Sequence, residues 1–201
     1  MNLYKCGALS SFFLASIYIA AFIYFGVFWD FPSSASSAEK FIFLAEHQVT
    51  YSVINLVLYV VFGIFLSFLV LALHNRLKKS SPALSQIAAV FGIIWVALVI
   101  ASGMIANIGL GTVLEVAKNN TEQAMIIWQT ITSIVEGVGG GNEVVGGLWV
   151  LFLTIAAFRE KHLSQNLNYL GFFVGLSGIA TVYPADVLTE IFGLSQIIWF
   201  I

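Results

Sequence analysis

The chain has 201 residues, of which 60% are hydrophobic and only 9% carry a charge, and its mean hydropathy is +0.97. A soluble domain carries about 25% charged residues, so this chain has too few polar groups to cover a folded surface in water. Its net charge of −2 offers no electrostatic footprint for nucleic acid. The composition predicts an all-α, polytopic transmembrane bundle in a single domain, with the lipid bilayer as its partner.

The first apolar segment starts close to the N-terminus. It is too long for the h-region of a signal peptide, and no small-x-small cleavage pattern precedes Asp30. We therefore interpret it as a retained first span. Cys6 is the single cysteine, which excludes an internal disulfide. We interpret it as a small residue near the start of a helix, with acylation or reactivity as alternatives.

The hydropathy pattern predicts six spans. They cover about residues 7–29, 51–73, 84–106, 143–158, 167–183 and 187–201. Helical apolar spacing after residue 106 allows the third span to continue further. The sixth span is short for a bilayer, since 15 residues rise about 22 Å, and we expect the natural chain to continue past Ile201.

Two further segments are amphipathic and are predicted as outer helices, at about residues 38–48 and 121–137. The first is either an interfacial helix with Phe41 and Phe43 turned towards lipid or a plain lead-in to the second span. In the second, polar residues interrupt the apolar recurrence too often for a lipid-facing span. We interpret it as an extracytoplasmic or re-entrant helix before span four.

The cations decide between six and seven spans. With six spans, one side of the membrane carries Lys5, Arg76, Lys78, Lys79, Arg159 and Lys161. The other side carries only Lys40 and Lys118. The positive-inside rule then predicts a cytoplasmic N-terminus, in a multi-pass protein of the bacterial cytoplasmic (inner) membrane. A seventh span would spoil this asymmetry.

A glycine cluster, Gly139, Gly140 and Gly141, precedes the fourth span. One straight helix over residues 123–158 would run about 54 Å, which exceeds a hydrocarbon core of about 30 Å. Three consecutive glycines are poor helix formers, so we predict that the helix breaks there. In the fifth span, Gly171 and Gly175 form a small-xxx-small pair that packs another helix, either within the chain or in a neighbour.

The order of these segments resembles a known family. The second span ends in the basic cluster HNRLKK, a glycine-rich start leads into GGLWVLFLTIAAFREK, and the fifth span is NYLGFFVGLSGIATVYP. This pattern is similar to that of the bacterial six-helix membrane proteins catalogued as domain of unknown function 4386. The resemblance implies a sixth span that runs on past Ile201. It implies no activity and no functional residue.

Acidic residues in or near a membrane are costly and suggest a functional site. Glu136 and Glu143 lie seven residues apart, which places them on one helix face if the helix continues through the glycines. An outward-facing polar cavity is one interpretation, and caps and loop charges in interfacial water are the other. The candidate ligand-binding residues are Glu115, Glu136, Asn142, Glu143 and Tyr183. Asn55, one turn into the second span, is interpreted as a structural hydrogen-bonding residue.

No motif indicates a reaction or a cofactor. The segment GGGNE is not a phosphate loop, because no Gly-Lys-Ser/Thr follows it, and no GxSxG occurs. A metal site built from Glu46 and His47 with Glu136 or Glu143 is disfavoured, because no HxxH or HxxxH pair is present. We therefore expect no metal, no cofactor and no catalytic residue.

The sequence leaves two functions open. The first is a non-enzymatic integral membrane protein that acts as a small helical subunit or binding module, with a membrane-protein partner or further copies of itself. The second is binding or transport of a small molecule or lipid through an outward-facing cavity lined by Glu136, Asn142 and Glu143.

Overall fold

A computed structural model describes residues 2–160 and 163–201. The regular secondary structure of those residues is entirely helical, and they contain no strand. The elements, in chain order, are α1 Leu3–Ile23, α2 Ser37–Glu46, α3 Gln48–Asn55, α4 Phe62–Leu77, α5 Pro82–Ala117, α6 Thr121–Val135, α7 Val144–Glu160, α8 Gln165–Ala180 and α9 Asp186–Phe200. Short π-helical segments extend three of them, at Tyr24–Phe28, Leu56–Val61 and Glu136–Gly140. The all-α prediction is confirmed for the described residues.

Four helical stretches, the last of which includes the glycine cluster, are long and apolar enough to cross a membrane. They are Leu3–Phe28, Gln48–Leu77, Pro82–Ala117 and Thr121–Arg159, with 26, 30, 36 and 39 residues. Helices α8 and α9 correspond to the predicted fifth and sixth spans, but they have only 16 and 15 residues. The fold is thus an all-helical protein with four candidate spans among the described residues.

Helix α5 is the longest continuous element and organises the rest. Its 36 residues rise about 54 Å, so the predicted continuation of the third span is confirmed. Helix α6 runs back along the C-terminal half of α5, where Ile131 lies against Gly109. Helix α7 continues along the other half of α5, where Gly146 lies against Trp95.

The helix breaks at the glycine cluster, as predicted. Gly139 has φ 158° and ψ 17°, a conformation that L side chains rarely adopt and that glycine accepts freely. The amides of Gly141 and Asn142 both donate to the carbonyl of Glu136, and α7 begins at Val144. Glu136 and Glu143 are therefore not on one helix face, since no helix connects them.

Two apolar cores form on the opposite halves of α5. The main core gathers α1, α4, α5, α7, α8 and α9, and its large members include Trp95, Trp149 and Phe192. The outer core joins α2, α5 and α6 through Phe41, Leu44, Leu110, Val113 and Ala124. The expected helix near residues 38–48 exists as α2, but the membrane-facing orientation of Phe41 is wrong, because Phe41 is 4% exposed inside the outer core.

Hydrogen bonds between helices fix one end of the bundle. The side-chain amide of Asn75 donates to the Tyr4 hydroxyl at 3.0 Å, which places the start of α1 beside the end of α4. At the same end, Ser85 Oγ donates to the His74 carbonyl at 3.1 Å. The basic cluster HNRLKK (residues 74–79), at the end of α4, therefore lies at the same end of the molecule as Lys5.

Glycines bring α7 and α8 into backbone contact. A Cβ on Gly147 would lie 2.7 Å from the Gly175 carbonyl oxygen, and a Cβ on Gly178 would lie 2.7 Å from the Gly147 Cα. A Cβ on Gly171 would overlap Thr154 of α7. The small-xxx-small pair of the fifth span therefore packs within the chain and is not turned towards a neighbour.

Candidate functional site

A cavity of about 480 Å³ opens beside the break in the α6–α7 helix. Its wall combines the second half of α1, the π-helical segment that precedes α4, the glycine cluster and the first turns of α9. Most of the lining is aromatic or aliphatic, and the aromatic members are Tyr18, Phe22, Phe25, Tyr59, Phe62 and Phe192. The cavity is therefore an apolar pocket with a small number of polar groups, as is typical of ligand sites.

Glu143 is the buried acid of this cavity, with 7% of its surface exposed. Its backbone N–H donates to Thr181 Oγ1 at 2.7 Å, and that hydroxyl donates to the carbonyl of Gly178 at 2.7 Å. The Glu143 carbonyl accepts from the Gly147 N–H at 2.8 Å, as the first bond of α7. These bonds hold the backbone of Glu143 between α7 and α8, and leave its side chain to face the cavity.

The carboxyl group of Glu143 is incompletely satisfied. Among the described residues, none forms a hydrogen bond with its Oε2 atom. The indole nitrogen of Trp95 interacts with the carboxyl, but without hydrogen-bond geometry. A buried polar atom without a partner costs about 1–3 kcal/mol, and more when it is charged. Such a group calls for a functional explanation.

Other polar groups surround Glu143 at longer range. Tyr18 and Tyr59 line the same cavity as Glu143. At the mouth, Thr189 Oγ1 donates to the Gly141 carbonyl at 3.0 Å and so ties the start of α9 to the break. Glu190 is exposed beside it. Of the described residues that line the cavity, none is Lys, Arg or His, so its charged groups are acidic.

The structure places only part of the predicted site at this cavity. Glu143, Gly139 and Gly140 line it, whereas Glu136 and Asn142 do not. The physical reason is the break at Gly139, after which the chain turns. Glu136 therefore stays exposed, and Asn142 Oδ1 accepts from the Val144 N–H at 3.2 Å.

The remaining two predicted ligand-binding residues lie elsewhere. Glu115 is exposed at the end of α5 and pairs with Lys118. Tyr183 is 69% exposed in the α8–α9 turn. Neither lines the cavity, so the structure does not bring the five predicted residues together.

The sequence analysis did not identify Tyr18, Tyr59 and Thr189 as cavity residues. The two tyrosines carry the same signal that singled out Asn55, which is a polar group within an apolar span. Asn55 itself is 4% exposed and donates to Asn107 Oδ1 at 3.1 Å. Its predicted role as a structural hydrogen-bonding residue is confirmed.

A metal site finds no support in the geometry. Within residues 2–160 and 163–201, no three His, Cys, Asp or Glu side chains come together in a metal-binding group. His47 instead stacks on Phe43, with ring centroids 4.2 Å apart, and its Nδ1 lies 2.9 Å from the Phe43 carbonyl oxygen. The Glu46–His47 alternative therefore lacks a ligand set.

A second depression, the lipid-side groove, adjoins the cavity. It has a volume of about 440 Å³ and is lined by Ala20, Ala21, Ile23, Tyr24, Phe28, Val53, Ile54, Val57 and Leu58. Ala21 and Leu58 line both spaces. The groove is thus an apolar space next to the cavity.

Comparison with known proteins adds no relative. No family model matches the chain. No curated protein and no solved structure matches it either. The resemblance to domain of unknown function 4386 therefore stays a prediction from the sequence.

Proposed function

We propose that the chain is a non-enzymatic integral membrane protein that binds a small molecule in the cavity at Glu143. One observation carries this proposal: a 7% exposed carboxylic acid lines the cavity, and one of its oxygens lacks a hydrogen-bond partner among the described residues. Ionisable groups inside membrane segments are expensive and are kept where they serve a function. A ligand that contacts Oε2 would remove this cost.

The proposed setting is a six-span protein of the bacterial inner membrane with a cytoplasmic N-terminus, similar to domain of unknown function 4386. Two findings support this topology. Helices α8 and α9 pack with α7 and α1 in the same bundle, and the Tyr4–Asn75 bond puts Lys5 near the basic cluster at the end of α4. In this topology the cavity lies in the outer half of the membrane, because it is formed by the far half of α1.

The alternative function, a helical subunit of a larger membrane complex, has a different surface from the one expected. Gly171 and Gly175 pack inside the chain, so they offer no docking face. The exposed side of α8 carries Tyr169, Phe173 and Leu176 at i, i+4 and i+7, which is one continuous apolar face. A protein partner would have to dock on this face of α8, and membrane lipid would cover the same face equally well.

Native mass spectrometry tests the binding proposal. We expect protein extracted gently from its own membrane to carry a bound small molecule, and Glu143→Gln to lose it. Glu136→Gln is the matched control, since it removes an acid that does not line the cavity, and it should retain the ligand. Equal occupancy in wild type and Glu143→Gln, or a bare monomer in both, would contradict the proposal. A second polypeptide at fixed stoichiometry would favour the subunit function.

A further inference from the structure

We propose that the ligand is a cationic amphiphile, namely an alkyl amine or quaternary ammonium compound. Its head group contacts Glu143 in the cavity, and its hydrocarbon chain lies in the lipid-side groove. This inference rests on the proposed function, because it names the ligand class of the same site. Three features of the described residues lead to it: the charges, the aromatic wall and the connected groove.

The charge balance of the cavity favours a positive head group. The lining includes the acids Glu143 and Glu190 and, among the described residues, no base. An anionic ligand would bring a further negative charge into an apolar space next to Glu143, which is strongly unfavourable at low dielectric. A cation placed at Oε2 supplies the missing partner and offsets the desolvation of the carboxylate.

The aromatic wall suits the same chemistry. The cavity is lined by rings from α1 and the π-helical segment that follows it, from the π-helical segment before α4, from the start of α4, and from α9. They belong to Tyr18, Phe22, Phe25, Tyr59, Phe62 and Phe192. The negative face of an aromatic ring attracts ammonium groups, and aromatic cages are a recurrent site for quaternary ammonium ligands. An acid together with such rings favours an organic cation over a hydrated metal ion, which prefers several oxygen ligands.

The groove supplies a place for an apolar chain. It meets the cavity at Ala21 and Leu58, and its own lining is aliphatic or aromatic throughout. Ala21 is small, and we place the alkyl chain beside it, along the π-helical segment Leu56–Val61. Val53, which also lines the groove, is 52% exposed. A membrane-dissolved amphiphile would thus enter sideways, with its chain remaining in apolar surroundings.

The experiment uses the full chain in lipid nanodiscs, with empty nanodiscs as the background. Radiolabelled decylamine, decanol and decanoic acid serve as probes of equal chain length and different head-group charge. A decylamine derivative with a diazirine at the far end of its chain reports where the chain lies. Variants are Glu143→Gln, the control Glu136→Gln, and Val57→Trp, which fills the groove without touching the acid.

We expect saturable decylamine binding at least about tenfold tighter than decanol binding, because a buried charge pair is worth more than a neutral hydrogen bond. Glu143→Gln should abolish this preference, and Glu136→Gln should keep it. Diazirine cross-links should fall in residues 20–28 and 53–58, and Val57→Trp should remove them. Glu143→Gln loses no hydrogen bond to Oε2. Measuring its thermal stability verifies that the variant is folded.

Two results would overturn the cationic class and differ in what they leave standing. If decanol or decanoic acid binds as tightly as decylamine in a manner sensitive to Glu143→Gln, the cavity is a binding site, but for another chemistry. If no probe binds saturably, or if cross-links spread over all lipid-facing helices, the cationic amphiphile is excluded. Native mass spectrometry of the extracted protein then decides separately whether the cavity binds anything.

Discussion

The two halves of α5 support cores of very different construction. The main core joins the first half of α5 to α1, α4, α7, α8 and α9, and the indoles of Trp95 and Trp149 lie 5.6 Å apart between ring centroids. The outer core joins the second half of α5 to α2 and α6 through five buried residues, and α3 also contacts α5. The main core thus combines six helices, whereas the outer core combines three.

The cavity lies at the junction between the main core and the outer core. Helix α6 belongs to the outer core and keeps many polar residues exposed, while α7 lies inside the main core. The break at Gly139 connects the two, so Glu136 stays exposed and Glu143 becomes buried only seven residues later. The break, more than the local composition, therefore decides which acid faces an apolar space.

The strongest prediction concerns the close packing of α7 in the main core. Gly147→Ala should destabilise the protein by about 3 kcal/mol or more, because its Cβ would meet the backbone of α8 at 2.7 Å and backbone cannot move aside as a side chain can. Unfolding in mild detergent, followed by circular dichroism, measures this. Gly111→Ala on α5 is the control, since no atom lies within 4 Å of its Cβ, and it should be neutral or slightly stabilising. Equal effects would refute the described α7–α8 contact.

The break itself should have a smaller effect. Gly139→Ala should cost about 1–2 kcal/mol, since a residue with a Cβ is strained at φ 158°. Gly141→Ala is matched to it, because its nearest neighbour would be at 3.7 Å and its φ of −134° is ordinary. Urea or thermal unfolding of both variants gives the difference. A Gly139→Ala protein as stable as Gly141→Ala would mean that the helix does not break there.

Polar contacts between helices should contribute about 1 kcal/mol. Asn55 donates to Asn107, and Asn107 Nδ2 donates to the Ser52 carbonyl at 3.1 Å. A double-mutant cycle with Asn55→Ala, Asn107→Ala and the combined variant should show a positive coupling of that size. Additive losses in the cycle would be inconsistent with the bond.

The smallest expected effect lies at the edge of the outer core. Ser36 Oγ and the Ser36 N–H both donate to Glu39 Oε2, at 2.7 and 2.9 Å. Both bonds lower the pKa of Glu39, and the side-chain bond has the larger effect. The stabilisation of the start of α2 by these bonds is fully present at pH values above the ordinary pKa of a glutamate. It is lost as the pH falls through the lowered pKa of Glu39. Hydrogen exchange of the first turn of α2 should therefore accelerate at acidic pH. In Ser36→Ala, exchange should be faster at neutral pH and depend less on acid.

Much of the fold follows from local patterns in the sequence. Apolar runs predicted the helices, and the three consecutive glycines predicted the break. The sequence did not distinguish Gly139, which needs a positive φ, from Gly141, which has room for a side chain, because that difference arises from tertiary packing. For the same reason one of the two interpretations of residues 38–48 turned Phe41 towards lipid, whereas Phe41 is buried in the outer core with residues of α5 and α6.

The candidate site was less predictable than the fold. Glu143 was identified from its type and place, but Tyr18, Tyr59 and Thr189 come from helices that are far apart in sequence. Spacing within one segment cannot reveal such neighbours. Spacing also grouped Glu136 with Glu143, since a continuous helix would have aligned them, and the break removes that alignment.

Carbodiimide labelling tests the central claim most directly, which is that Glu143 faces an apolar cavity while Glu136 faces water. Purified protein in nanodiscs is treated with membrane-soluble dicyclohexylcarbodiimide or with a water-soluble carbodiimide, and modified peptides are identified by mass spectrometry. We expect the hydrophobic reagent to modify Glu143 and decylamine to slow this reaction, whereas the water-soluble reagent should modify Glu136 and spare Glu143. A Glu143 that is inert to the hydrophobic reagent, or that reacts with the water-soluble reagent as readily as Glu136, would contradict the account.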